Sequence, residues 1–148
     1  MSSRSGPFWD AFEGRAPLPR AAATLGMELI DADVDAGTIE LAFVATEDFT
    51  NPAGNVLGAF QAAMLHDTVG PALLATLPPD QFQSTLQLSV SFLRPLRPGR
   101  VIGKGRVVHR VGDLVFLEST LHDGDGSTVA TATATARVIP LRAAAAAA

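Results

Sequence analysis

Cysteine is absent from this chain of 148 residues, and its absence removes two classes of site. Neither a disulfide nor a thiolate metal site can form without it. The three histidines, His66, His109 and His122, are scattered and show no metal-ligand spacing. We therefore expect no metal and no redox cofactor.

Long apolar runs are also missing from the sequence. No run reaches the roughly 18 apolar residues that a membrane-spanning helix needs. The N-terminal stretch MSSRSGPFWDAFEGR lacks the apolar region of a secretory signal. We therefore expect a cytoplasmic protein that has no membrane partner.

Acidic residues outnumber basic ones, and the net charge of −4 argues against a general nucleic-acid binder. The segment 94–110 is the exception, because it contains no acidic residue. It is either a solvated basic strand or a local anion site for a phosphorylated small molecule. Its basic residues are Arg94, Arg97, Arg100, Lys104, Arg106 and Arg110.

The composition is that of a globular protein, with 47% hydrophobic and 18% charged residues. Its length suggests one domain, which we place at residues 1–142. The remainder, 143–148, is a low-complexity alanine tail that we expect to fray.

Alternating apolar and polar residues predict six strands, and one longer segment predicts a helix. The order β-β-α-β-β-β-β with short connections favours an α+β fold, in which one helix covers an antiparallel sheet. A short helix at PFWDAF is expected to dock on the body of the protein. The strands are predicted at 27–34, 38–46, 85–93, 100–110, 114–122 and 128–139, and the long helix at 59–76, after a turn-rich loop at 47–58.

Two ionisable residues, His66 and Asp67, interrupt the apolar long helix. Adjacent residues lie about 100° apart around a helix, so we do not expect a His-Asp dyad. His66 falls just off the edge of the predicted sheet-facing stripe, and Asp67 falls on the far side. That stripe comprises Ala62, Leu65, Val69, Leu73 and Thr76.

Other features could support chemistry around this helix. Gly58 and Ala59 begin it and offer free backbone N–H groups for a developing oxyanion. Thr85, Gln87 and Ser89 alternate on the next strand as a polar line that could orient a water. A helix that is apolar nearly all round needs more cover than one small sheet supplies, so we expect a homodimer or a homotetramer.

The sequence resembles the hotdog-fold acyl-CoA thioesterases of the phenylacetate-type (PaaI-like) group. The stretches that carry the resemblance are NPAGNVLGAFQAAMLHDTVGPALLATLP, LQLSVSFLRPLRPG and DGDGSTVATATATARV. The resemblance implies a long central helix wrapped by a curved antiparallel sheet, with active sites at a dimer interface. It also implies hydrolysis of an acyl-CoA, in which CoA is part of the substrate and not a cofactor.

The family pattern can be carried over residue by residue. Asn51, Pro52 and Gly54 match its loop, and the resemblance counts Asn51 with the catalytic residues. Gly58 matches the first glycine of a pair, whose N–H would polarise the thioester carbonyl. His66 stands where the family has its catalytic acid, and Asp67 follows it.

The remaining positions concern substrate binding and water placement. Leu57 stands where His or Gln is usual, and Ala59 where a second glycine is usual. Thr85 falls near the hydroxyl that helps to place water. Arg94, Arg97 and Arg100 fall in an arginine-proline segment that would meet CoA phosphates, and Leu57, Ala59 and Phe60 would line the acyl site.

Three interpretations of the site stay open on the sequence. His66 could act as the general base, because an imidazole titrates near neutral pH. Asp67 could do so instead. Alternatively, the changes at Leu57 and His66 leave a module that binds acyl-CoA or another apolar ligand without turnover.

Overall fold

The computed structural model describes residues 4–146, which form helices, a single sheet and two 3-10 segments. The helices are α1 (Pro7–Phe12), α2 (Arg20–Thr24) and α3 (Gly58–Leu74). The 3-10 segments are Glu47–Phe49 and Leu141–Ala146. The strands are β1 (Glu28–Asp33), β2 (Thr38–Ala45), β3 (Gln81–Phe92), β4 (Gly99–Val111), β5 (Leu114–His122) and β6 (Thr128–Pro140).

The six strands form one antiparallel sheet in the order β1-β2-β4-β5-β6-β3. Helix α3 contacts five of them, β2 to β6, so the sheet must curve around the helix. β3 is an edge strand, and its outer edge has no neighbour among the described residues. The predicted order β-β-α-β-β-β-β and the central helix are confirmed.

Two glycines on β4, Gly103 and Gly105, let α3 lie close to the sheet. A Cβ placed on Gly103 would lie 2.5 Å from Thr68 Oγ1, and one on Gly105 would lie 3.0 Å from the Thr68 carbonyl oxygen. Thr68 is fully buried, and its hydroxyl donates to the Met64 carbonyl at 2.7 Å. The strand therefore approaches the helix backbone where a larger residue would hold it away.

The sheet-facing stripe of α3 differs from the predicted one. Leu65, Val69 and Leu73 are buried as expected, whereas Ala62 and Thr76 are only half-buried. Met64, Thr68 and Ala72 are buried instead, so the contact face is rotated toward them. As a result His66 and Asp67 lie on either side of the face that points away from the sheet.

Strand β3 begins at Gln81, earlier than the predicted 85, and carries an irregularity. Thr85 pairs with Ala136 and Gln87 pairs with Thr135, so the extra residue Leu86 is bulged. A bulge reverses the alternation of faces. The predicted polar line is therefore wrong: Thr85 faces the helix side, where Ala136 is buried, and Gln87 lies in the opposite row.

Other boundaries differ slightly from the predictions. Helix α3 runs through Pro71 to Leu74, and helix α2 was not predicted. Residues 143–146 of the alanine tail, which was expected to fray, belong to the 3-10 segment Leu141–Ala146. The N–H of Leu141, just before the tail, donates to the Asp80 carbonyl. Residues 147 and 148 of the predicted tail lie outside the described residues.

Candidate active site

His66 and Asp67 line one cavity of about 370 Å³ on the side of α3 that faces away from the sheet. Helix α1 forms the opposite wall of this cavity, and the start of β3 forms its floor. Helix α1 is held there by apolar packing, because Trp9 is buried and Phe8 and Phe12 pack on the core. The lining includes Phe8, Trp9, Phe12, Gly70, Leu74, Phe82 and Gln83.

Burial in the cavity shifts the pKa of both ionisable groups in the direction that favours the uncharged form. Burial raises the pKa of Asp67 from its ordinary 3.8 to about 6. Partial burial lowers the pKa of the His66 imidazole. Either group could therefore accept a proton from water at neutral pH.

His66 and Asp67 do not act on each other in the structure. Within residues 4–146, no hydrogen bond or ion pair joins the two side chains, and burial alone causes each pKa shift. The expectation that they do not form a dyad agrees with this geometry. They are two separate candidates for one role.

Gln83 is a polar residue of the site that sequence reasoning missed. It lines the cavity with His66 and Asp67, and its Nε2 lies 3.2 Å from the position of a Cβ on Gly70. The Thr85 hydroxyl donates to Gln83 Oε1 at 3.0 Å, so Thr85 positions the amide of Gln83. The signal was available, because Gln81, Gln83 and Thr85 alternate, but the strand was predicted to start too late.

The N-terminus of α3 presents the expected backbone donors. Across residues 4–146, no acceptor takes the N–H of Gly58 or Ala59, whereas the Gln61 N–H already bonds the Leu57 carbonyl. A Cβ on Gly58 would lie 3.0 Å from the Phe92 ring, so glycine here lets that ring cover the helix start. These donors are free to bind an anion or a polarised carbonyl.

Asn51 shapes the loop that leads into α3. Its Oδ1 accepts the N–H groups of Ala53 at 3.0 Å and Asn55 at 3.1 Å. Its own N–H donates to the Asn55 carbonyl at 2.8 Å. Asn51 therefore holds the turn in which Gly54 has a φ of 83°.

Leu57 and Phe60 lie at the same end of the helix but in different surroundings. Leu57 is 43% exposed and provides no side-chain cap for α3. Phe60 stacks on Phe49 with ring centroids 4.3 Å apart. Neither residue lines the cavity beside His66.

The basic segment is less free than its sequence indicates. Neighbouring strands supply partners, because Glu118 pairs with Arg106 and Glu28 lies 3.8 Å from Arg100. Arg97 Nη1 donates to the Gly54 carbonyl at 3.3 Å, which places this guanidinium beside the loop before α3. The Arg94 side chain is exposed and has no hydrogen-bond or ion-pair partner among residues 4–146.

Comparison with known proteins identifies the family. The profile of the thioesterase superfamily matches residues 53–130, which include the end of the loop, α3, β3 to β5 and the first residues of β6. The chain belongs to the thioesterase superfamily. A phenylacetic acid degradation-related protein from Ralstonia eutropha is 40% identical, with a TM-score of 0.84, and the match covers 88% of this chain and 98% of that one.

Two more distant structures share the fold of this thioesterase-superfamily chain. A thioesterase from Haemophilus influenzae is 17% identical, with a TM-score of 0.79 over 93% of this chain and 94% of that one. E. coli PaaI is 16% identical, with a TM-score of 0.78 over 89% and 93%. The predicted hotdog fold and the PaaI-like resemblance are confirmed. No curated protein matches the chain.

Two further observations concern the described part of this thioesterase-superfamily chain. No cluster of His, Asp or Glu within residues 4–146 could hold a metal ion. None of the helices within the same residues is long and apolar enough to cross a membrane.

Proposed function

We propose that this protein hydrolyses an acyl-CoA thioester, with His66 or Asp67 as the general base. Membership of the thioesterase superfamily supports thioester hydrolysis in general. The observation that carries the proposal is the cavity, which holds two groups whose charged forms are disfavoured by burial, on the same helix as two free N–H donors. The acyl group is small, medium or aromatic, and the Ralstonia relative's description favours an aromatic one.

The reaction needs a base, a water molecule and an oxyanion donor. The base takes a proton from water as the water oxygen bonds to the thioester carbon. The N–H groups of Gly58 and Ala59 stabilise the negative charge on the carbonyl oxygen. The C–S bond then breaks, and the CoA sulfur leaves with the proton that the base had taken.

Two chains are needed to assemble this arrangement. Eight residues separate Gly58 from His66, which is about 12 Å along the helix axis at 1.5 Å per residue. One carbonyl cannot contact both ends of that span. We therefore propose a homodimer in which Gly58 of one chain faces His66 and Asp67 of its partner.

The edge of the sheet supports such pairing. β3 lies beside the cavity through Gln83, and its outer edge is unpaired within the described residues. Leu86, Phe92 and Leu93 on or next to this strand are 50 to 57% exposed. An exposed apolar edge strand pairs readily with a second chain.

CoA would lie at the N-terminal end of α3. Arg97 contacts the loop at Gly54, four residues before Gly58, and Arg94 is exposed nearby in sequence. Guanidinium groups bind phosphate through paired hydrogen bonds. We therefore propose Arg94 and Arg97 for the phosphates, with Arg100 shared with Glu28.

The test is thiol release from a panel of acyl-CoAs by wild type, His66→Ala and Asp67→Asn. We expect wild-type turnover and a loss of at least about 100-fold in the variant that lacks the base. The other variant should retain most of its activity. Absence of thiol release by wild type across the panel would overturn the proposal.

The alternative is a module that binds acyl-CoA without turnover. The exposed apolar Leu57 favours it, because this side chain offers no hydrogen bond at the helix start. Calorimetry on acyl-CoAs separates the two functions. Saturable binding without thiol release would identify the binding module.

A further inference from the structure

The cavity extends from a polar end to an apolar end along the last turns of α3. His66 and Asp67 lie at one end, and Leu74 and Leu77 at the other. His66 to Leu74 spans about 12 Å along the helix axis. A thioester carbonyl placed at the polar end would direct its acyl group toward Leu74.

Helix α1 forms the long wall of this cavity. Phe8 and Phe12 pack against each other with ring centroids 4.8 Å apart, and Trp9 meets Phe8 edge-on at 4.9 Å. All three rings line the cavity together with Leu74 on the opposite wall. The wall is therefore apolar along the path that an acyl group would take.

Close contacts fix α1 in place. A Cβ on Gly6 would lie 2.8 Å from Pro79 Cβ, so the helix start lies directly against the loop that follows α3. The Arg4 guanidinium stacks on Trp9 at 4.3 Å and donates to the Ala32 carbonyl at 3.1 Å. The position of the wall is thus set by contacts with both α3's end and β1.

We propose that α1 is the specificity wall of the acyl pocket, and that Phe12 and Leu74 determine the length of the acyl group accepted. This inference rests on the proposed function, because it places the reacting carbonyl beside His66 and Asp67. The cavity volume of about 370 Å³ is within the range of small-ligand pockets. The ligand is an apolar acyl group whose far end lies between α1 and Leu74.

The first experiment measures kcat/KM over straight-chain acyl-CoAs from acetyl to dodecanoyl. Leu74→Phe fills the apolar end, and we expect at least a tenfold loss on octanoyl-CoA relative to butanoyl-CoA. Phe12→Ala enlarges the cavity on its α1 side and should move the optimum to longer chains. Phe116→Ala, an exposed aromatic on β5 outside the cavity, is the control and should leave the profile unchanged.

The second experiment reads the pocket without turnover. Trp9 is the single tryptophan of the chain and lines the cavity, so its fluorescence reports occupancy. Titration with straight-chain fatty acids from butanoate to decanoate should give saturable changes whose affinity depends on chain length. Leu74→Phe should weaken the longer acids by tenfold or more.

The outcomes separate the two proposals. Length-dependent binding without any thioester hydrolysis would support the pocket and overturn the proposed function. Hydrolysis whose chain-length profile is the same in wild type, Leu74→Phe and Phe12→Ala would overturn the pocket. A Trp9 signal that does not change up to millimolar fatty acid would also overturn it.

Discussion

Asp67 shows how burial can prepare one carboxyl group for chemistry. It lies on the cavity side of α3, and no positive group among residues 4–146 offsets its desolvation. A carboxyl group in such a place retains its proton to higher pH. The same burial makes its ionised form unfavourable for folding.

The stability of the protein should therefore change with pH through Asp67. The pKa of Asp67 is 3.8 in the unfolded chain and about 6 in the folded protein. The contribution of Asp67 to the unfolding free energy therefore falls as the pH rises between these values and stays constant at higher pH. Asp67→Asn should raise the unfolding free energy at pH 7.5 by about 1–3 kcal/mol. Most of that gain should be lost near pH 4.

Urea unfolding of both proteins across this pH range measures the effect. Asp10→Asn, at an exposed ion pair with Arg15, is the control. A stability difference between wild type and Asp67→Asn that is the same at every pH would contradict the burial argument.

At the scale of elements, the contact between α3 and β4 depends on two glycines. Gly103→Ala would place a Cβ 2.5 Å from Thr68 Oγ1 and 2.9 Å from the Phe43 ring. Overpacking of this kind costs about 1–3 kcal/mol. Thr68→Ala in the same chain should recover part of the loss, because it removes the nearer atom.

Thermal unfolding of the two single variants and the double variant measures this coupling. Gly124→Ala is the matched control, because a Cβ there meets nothing within 4 Å. If the stability losses of the two single variants add up to the loss of the double variant, Thr68 and Gly103 do not interact.

Asn51 stabilises the loop before α3 through its side-chain oxygen. Asn51→Ala should destabilise the protein by about 1–2 kcal/mol, because two N–H groups lose their acceptor. Asn51→Asp keeps a side-chain oxygen and should preserve both stability and thiol release. If Asn51→Asp instead folds normally but loses turnover, Asn51 has a chemical role beyond shaping the turn.

At the scale of the whole molecule, the site is proposed to need two chains. Gly58→Pro removes one N–H donor, and proline suits the first position of a helix. Its Cβ would lie 3.0 Å from the Phe92 ring, so circular dichroism first verifies that the variant folds. We mix it in equal amounts with the inactive variant at His66 or Asp67 and refold the two chains together. Half of the dimers then contain one chain of each kind and have one intact site out of two. The mixture should therefore show about a quarter of wild-type thiol release.

Each variant refolded alone is the control for this mixing experiment. Light scattering on the same samples verifies that dimers form. Failure of the mixture to exceed either variant would show that each chain's helix start and base work without the partner.

The sequence by itself determined the six strands, the long helix and their order. Strict alternation in TVATATATA requires one small apolar face on β6, and the apolar run after Gly58 requires a buried helix. Glycine, asparagine and proline mark the loop at 51–58. These are local constraints of backbone and periodicity, so they can be identified without knowing what packs against what.

Tertiary structure decided which side chains share the site. A single bulge at Leu86 moved Gln87 out of the row of Thr85 and left Gln83 beside the cavity. Packing of α1 on the open face of α3 buried Asp67 next to His66, and neighbouring strands paired Arg100 and Arg106 with acids. Contacts between segments distant in sequence produce all three results, and no local pattern encodes them.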